Sequence, residues 1–481
     1  MSTPAAKDSR RRHGSVSSHD DEDTEEQLGH YETEQLINAI SKIADLLRKC
    51  WGVAGAGIIS ANLARTKDGQ TVVFNPTIPG KQIYALFGFI GINDFSKQLR
   101  SLEQDVMILI NDVARVVHDE VYRWALGDSG QCNKNLGAAF LMVFRIGDFT
   151  EVYNKKKKAT DVVFDSQGRS EKTRQRQGTT MERRRSIDGA QGRDGSLQLA
   201  SLPGIQTFAD RALLGCLKSF AGLHRDQNMQ DWQKDFRLGA GVGNFHISVI
   251  YGMDAGWAVE GAVGSEYKID ATYLSPHVNM ASRMMSACAQ YGVKVLLSQA
   301  VEELLSKTAR SKLRHLDTVY VKGSNVAQRI YTYDARHEGV DFFLFERTPD
   351  QADIEAEAYN PSIWDNDQDL KSMRQHVTDD FMKSFQQGVV LYLEGNWKLA
   401  CKNLEEADNI MFENVLESGF VDYITEDLGE YGKNLNISKD ELSRLKNDFG
   451  DGACKCLIQY MIRRNYIPPP DWRGVRHLLS K

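Results

Sequence analysis

The chain has 481 residues, 41% of them hydrophobic, and a formal net charge of −6 from 59 basic and 65 acidic side chains. That is long enough for one large domain or two to three ordinary ones with well-formed cores, and the modest, mixed charge excludes a general nucleic-acid or membrane-surface signature. Seven scattered cysteines exclude a disulfide framework, no run approaches the roughly 18 apolar residues that span a bilayer, and the polar N-terminus lacks a signal-peptide core. A cytoplasmic location is expected, with any membrane association made through a partner.

Residues 1–30 combine Arg10, Arg11 and Arg12 with serines and the acidic DDEDTEE, too polar to bury a core, so a disordered tail is expected. Residues 31–77 read as a helical lead-in, because Leu36, Ile40, Ile43 and Leu47 recur at spacings of four, three and four. Tyr84 to Ile92 is apolar and β-prone, and Val106, Leu109, Ile110, Val113 and Val117 behind it mark a helix. After the polar DSGQCNKN, Ala139 to Ile146 reads as a second strand.

Residues 155–204 carry Lys155 to Lys158, Arg174, Arg176 and Arg183 to Arg185 with almost no apolar periodicity, which predicts a disordered basic insertion. Regular structure is expected to resume near Ile205, where Phe208, Leu213, Leu214, Leu217 and Phe220 suggest a helix. Residues 339–374, with DQADIEAEAYNPSIWDNDQD, read as an acidic linker into a helical C-terminal region, 375–481. There Phe385, Gly388, Tyr392, Gly395, Trp397 and Ala400 resemble one tetratricopeptide helix pair. A single pair cannot bury both faces of a solenoid, leaving a cap on the preceding domain or a partner-binding module. The closing IPPPDWRGVRHLL suggests no chemistry of its own.

Four separated stretches carry a family likeness: IPGKQIYALFGFIGINDFSKQL at 78–99, NKNLGAAFLMVF at 133–144, GWAVEGAVGSEYKIDATYLSPHVNMASRM at 256–284 and VYVKGSNVAQRIYTYD at 319–334. Their content and order resemble class III adenylyl/guanylyl cyclases of the protist and algal type. The resemblance implies a cyclase homology domain over 78–338, interrupted by the basic insertion. It also implies an α/β (α+β) fold in which helices cover a largely antiparallel sheet, with a helical region added at the C-terminus. In such relatives a helix like the one over 31–77 leads into the catalytic domain and often pairs with a partner's copy; packing on its own domain is the alternative.

Ring closure of a nucleoside triphosphate needs an activated 3′-hydroxyl and a neutralised pyrophosphate, tasks that two Mg²⁺ ions perform through carboxylate ligands. The family's two aspartates correspond to Gly91 and Ala138, neither of which can ligate a metal through its side chain. Asp94 offers a substitute carboxylate or, more plainly, a helix cap. The other half of the chemistry is kept. Asn279 and Arg283, four apart, match the pair that orients the ribose and stabilises charge on the α-phosphoryl group, a task suited to the planar guanidinium fork. Lys134 and Thr272 match the positions that read the purine, with a lysine pointing to adenine; Lys322 aligns loosely with a triphosphate-contacting lysine. His277 reads as a structural residue.

Class III sites form between two domains, one supplying metals and the other supplying base and transition-state contacts. The resemblance therefore implies a subunit that binds ATP and relies on a partner with intact aspartates for Mg²⁺; as a homodimer it is expected to be inactive. The alternative is a pseudocyclase acting as a scaffold or nucleotide sensor. Ser186, in Arg183-Arg184-Arg185-Ser186-Ile187, resembles a substrate site of cAMP-dependent protein kinase and would add negative charge to a basic loop.

Overall fold

The computed structural model describes residues 33–46, 49–50, 52, 55, 79–125, 130–167, 199–238, 247–265, 267–321, 326–337, 340, 342, 347–418 and 439–478. Helix α1 covers residues 33–46, and its apolar stripe of Leu36, Ile40 and Ile43 is more than half exposed among the described residues.

The domain proper begins with β1 (Lys81–Ile92), followed by α2 (Phe95–Leu102), α3 (Val106–Trp124), the hairpin β2 (Gly130–Leu136) and β3 (Ala139–Asp148), and α4 (Phe149–Gln167). After the insertion come α5 (Ile205–Arg225), α6 (Gln227–Gln233), the long hairpin β4 (Val249–Ser265) and β5 (Lys268–Leu274), and α7 (Pro276–Tyr291). The sheet is completed by β6 (Val295–Ser298), α8 (Gln299–Leu304), α9 (Lys307–Ser311), β7 (Leu313–Tyr320) and β8 (Gln328–Tyr333). The remaining elements are α10 (Pro349–Glu357), α11 (Ile363–Asn366), α12 (Gln368–Met373), α13 (Asp379–Glu394), α14 (Trp397–Glu417), α15 (Lys439–Phe449), α16 (Gly452–Ile462) and β9 (Arg476–His477).

The strand order is β2-β3-β1-β4-β6-β8-β7-β9, with β5 paired to β4. Only β4–β6 and β7–β9 run parallel, so the expected largely antiparallel sheet covered by helices is present. Strand β1 lies centrally and is buried on both faces, which explains its unbroken apolar run. Tyr84, Leu86 and Ile90 face the main core under α3 and α5; Ile83, Ala85, Phe87 and Phe89 join a second cluster with Ala281 of α7, the alternation of a pleated strand. A third cluster joins Met280, Met284 and Cys288 of α7 to Phe385, Trp397, Leu404 and Met461. Helix α7 is therefore clamped between the sheet and the C-terminal helices.

Two expectations about organisation need correction. The insertion does not begin at 155, because α4 continues to Gln167; the lysine run is the exposed side of a helix. Residues 168–198, including Ser186, lie outside the described residues. Nor is 339–374 a linker. Its acidic residues sit on α10 to α12 and neutralise α5: Lys218, 1% exposed, meets Asp369 at 3.0 Å and Glu355 at 3.2 Å and also binds Asp367. Asp210 of α5 accepts from Tyr359 at 2.6 Å and the Trp364 indole at 3.1 Å. A buried ammonium requires such partners. The tetratricopeptide-like pair is α13 and α14, in contact where Gly388 lets Leu404 approach, and it caps the sheet through α7 and β7.

Candidate active site

The site begins where β1 ends. Gly91 is buried and registers with Ala139 on β3, and the next amide, Ile92 N–H, donates to the Ala138 carbonyl at 3.0 Å. The two positions expected to have lost their carboxylates therefore lie side by side at one end of adjacent strands. At Gly91 a Cβ would come 2.7 Å from the Met285 sulfur, so the thioether of α7 fills the space a side chain would use.

The amides of the turn after β1 are already engaged. Asn93 N–H donates to Ser248 O at 2.8 Å, and Lys97 N–H bonds Asp94 O. Asp94 occupies the N-cap of α2 in a left-handed conformation (φ 52°), yet its carboxylate makes no cap bond and receives only a long contact from Asn93. The cap is not made. Among the described residues, no group of three or more histidine, cysteine, aspartate or glutamate side chains could hold a metal ion, so this half of the site does not fit Mg²⁺.

The β2–β3 hairpin places Lys134. A bulge between Cys132 and Lys134 shifts the register so that Lys134 lies opposite Leu141, and Gly137 turns the chain at φ 66°. Cys132 donates to Asn135 Oδ1 at 3.1 Å inside this bulge, and burial pushes its thiol up to about 12, leaving it inert.

Helix α7 places the other polar pair, and its sequence explains its boundaries. Ser275 caps it by accepting His277 N–H at 2.9 Å, Pro276 takes the first turn, and Gly292 ends it at φ 62°. The helix lies directly on β4. At Gly252 a Cβ would fall 2.0 Å from Met285 N and 2.4 Å from Ala281 O, an approach only glycine allows. His277 lies on Gly256 and bonds Asp254 at 2.9 Å; Asp254, 2% exposed, also accepts the Ser298 hydroxyl. The pair ties the first turn of α7 to β4 and β6, the structural role expected of His277.

Asn279 is exposed and Arg283, one turn on, is half-buried; Thr272 stands on β5 opposite Gly261. Among the described residues, no hydrogen bond or ion pair engages the side chains of Lys134, Thr272, Asn279 or Arg283. Lys322 lies outside the described residues. Sequence reasoning missed Met285, whose type resembles any core methionine and whose position over Gly91 depends on how α7 lies on the sheet. A cavity of about 630 Å³ opens elsewhere, against Tyr84, Trp257, His277 and Glu303, and none of the candidate residues lines it.

Residues 216–335 match the adenylate and guanylate cyclase catalytic domain family, a stretch that includes Thr272, Asn279, Arg283 and Lys322 but not Gly91, Lys134 or Ala138. That match spans about a quarter of the chain, and the likeness to this family is shown for that stretch. It is 39% identical over 90 residues to an adenylate cyclase of Anabaena cylindrica, 18% of each protein. It is 31% identical over 98 residues to the terminal-differentiation specific adenylate cyclase of Dictyostelium discoideum, 20% of this chain and 5% of that one. The chain thus matches less than a fifth of the length of either curated relative. A solved bacterial light-regulated adenylyl cyclase aligns with a TM-score of 0.38 at 16% identity, over 64% of this chain and 65% of that one. Residues 2–64 also match the RasGEFs all helical domain; most of them lie outside the described residues.

Proposed function

We propose that this chain is the purine-reading, transition-state half of a two-chain adenylyl cyclase. The observation that carries the reading is the contrast within one domain: Asn279 and Arg283 are kept on a rigidly seated α7, while Gly91 and Ala138 lie together with no carboxylate and with Met285 over the gap. In the reaction the 3′-oxygen of ATP attacks the α-phosphorus, the bond to the pyrophosphate oxygen breaks, the hydroxyl proton leaves, and cAMP and pyrophosphate result. Mg²⁺, held by the partner's aspartates, would activate the hydroxyl and neutralise the leaving group. This chain's share is electrostatic and positional. Arg283 offsets charge developing on the α-phosphoryl oxygens, Asn279 holds the ribose, Lys134 donates to a purine ring nitrogen, and the Thr272 hydroxyl accepts from the exocyclic amine.

The test is a cyclase assay with Mg²⁺ and Mn²⁺ on the purified chain, on the chain with its co-purifying partner, and on the Gly91→Asp, Ala138→Asp double variant. No activity alone, activity with a partner that is lost on Arg283→Ala, and activity in the double variant are expected. Robust cAMP synthesis by the unaltered chain alone overturns the reading, and nucleotide binding without turnover in every pairing replaces it with a pseudocyclase scaffold or sensor. Dimerisation and phosphorylation of Ser186 by a cAMP-dependent kinase stand as parts of this proposal.

A further inference from the structure

The C-terminal tail, to which the sequence assigns no chemistry, ends in the sheet. After Pro468 and Trp472 settle against Gly395, with the Trp472 indole donating to Leu393 O at 3.1 Å, the chain turns into β9 and pairs in parallel with β7, Val319 opposite Arg476 and Tyr320 opposite His477. Leu478 N–H extends the ladder to Tyr320 O at 3.0 Å. This pairing delivers Arg476 to Asp317, a fully buried carboxylate on β7, at 3.8 Å. Asp317 in turn accepts the hydroxyl of Tyr291, the last residue of α7, at 2.7 Å. The Arg476 guanidinium also lies 5.5 Å from the Tyr291 ring and 4.4 Å from the Tyr460 ring of α16. At the same end of α7, Gly292 and Gly452 touch backbone to backbone: a Cβ on Gly452 would fall 2.5 Å from Gly292 O.

We propose that Arg476 is a positioning residue: through Asp317 and Tyr291 it fixes the C-terminal end of α7 and, along that helix, the placement of Asn279 and Arg283. The argument has three steps. A buried carboxylate holds its charge only beside a cation and donors, and Arg476 is the cation that reaches Asp317. Asp317 and the Tyr291 ring present two separate surfaces to the same guanidinium, so losing it loosens both. A helix transmits displacement along its axis because its turns are hydrogen-bonded in series, and Arg283 lies only eight residues, roughly 12 Å, from Tyr291. The consequence for catalysis rests on the proposed function; the mechanical claim does not.

The experiment uses the full chain and the variants Arg476→Ala, Arg476→Lys and Tyr291→Phe. Hydrogen–deuterium exchange of peptides spanning 284–292 should accelerate about tenfold in Arg476→Ala, the scale of one lost charge-assisted contact, while β3 and α3 keep their rates. Arg476→Lys should recover most of the protection, and Tyr291→Phe combined with Arg476→Ala should be no worse than the alanine variant alone. Unchanged exchange in α7, uniform acceleration across the fold, or no recovery with lysine overturns the proposal. In an active two-chain cyclase, Arg476→Ala should lower kcat severalfold with KM for ATP within about twofold, since Arg283 acts on the transition state; a loosened α7 with unchanged kcat removes the link to the site. If no pairing of the unaltered chain is active, the proposed function fails while the exchange result still decides this one.

Discussion

Asp451, the cap of α16, receives Arg314 of β7 through two bonds, 2.8 and 3.1 Å, and both side chains are all but inaccessible to solvent. The same guanidinium reaches Asp334 beyond β8 and lies over Phe385 of α13, so one cation joins the sheet to the C-terminal helices. Burial alone would raise the Asp451 carboxyl, but Arg314 outweighs it and holds the group down at about 2. Asp451→Ala leaves Arg314 with one partner and should cost about 3–5 kcal/mol. In urea the variant should still unfold in a single transition, with the helices and the sheet losing structure together, because the clamp on α7 makes them one cooperative body.

Asp317 titrates in the opposite sense. Burial outweighs Arg476 and pushes its carboxyl up to about 6 from the usual aspartate value of 3.8. Between about pH 4 and 6 the native chain retains a proton that the unfolded chain has released, so this group's contribution to stability is fully present below pH 4 and declines as pH rises to 6, by roughly 3 kcal/mol. Asp317→Asn cannot titrate. The stability difference between wild type and variant, from urea midpoints at pH 4, 5, 6 and 7, should move against the wild type over that interval and then level off. A flat difference would show that folding does not raise the Asp317 carboxyl.

Local patterning revealed much of this fold, and the pairing of distant charges did not. Val106, Leu109, Val113 and Val117 repeat at helical spacing and are all buried on α3. The acidic stretch before the C-terminal helices looked like a solvated linker because its partners, Lys218 and Arg225, lie some 150 residues upstream on α5. No composition rule separates a carboxylate bound for water from one bound for a buried ammonium. The same holds at the site. Asn279 and Arg283 were singled out by their resemblance to a family motif and not by spacing alone, whereas Met285 over Gly91, and the amides of Ile92 and Asn93 that bond Ala138 and Ser248, depend on which strand lies beside which.

Gly252 and Gly137 separate close approach from turn geometry. At Gly252 any Cβ meets the backbone of α7 at 2.0 Å, which a rotamer change cannot relieve, so Gly252→Ala must lift the helix and should cost more than about 3 kcal/mol. At Gly137 nothing lies within 4 Å and only the positive φ of 66° opposes a side chain, so Gly137→Ala should cost about 1 kcal/mol. Denaturation midpoints of the two variants check the ordering. Arg283-dependent activity, where the chain is paired, should fall with the first and survive the second.

Lys134 offers the sharpest test of which base the site reads. Adenine presents a ring nitrogen that accepts and an amine that donates; guanine presents the reverse, and a lysine can only donate. The Thr272 hydroxyl both donates and accepts, so the sign of the preference rests on position 134. The Lys134 side chain has no partner among the described residues, and replacing it breaks no internal bond. Lys134→Ala should therefore weaken ATP about tenfold without helping GTP, the effect of one lost hydrogen bond to the base. Lys134→Glu should weaken ATP at least as much and improve GTP, because a carboxylate accepts from the guanine ring N–H. The ratio of kcat/KM for the two nucleotides in the paired enzyme, or competition for a fluorescent ATP analogue on the chain itself, distinguishes the variants. Equal ratios for alanine and glutamate would mean that Lys134 is a solvated hairpin lysine and that the base is read elsewhere.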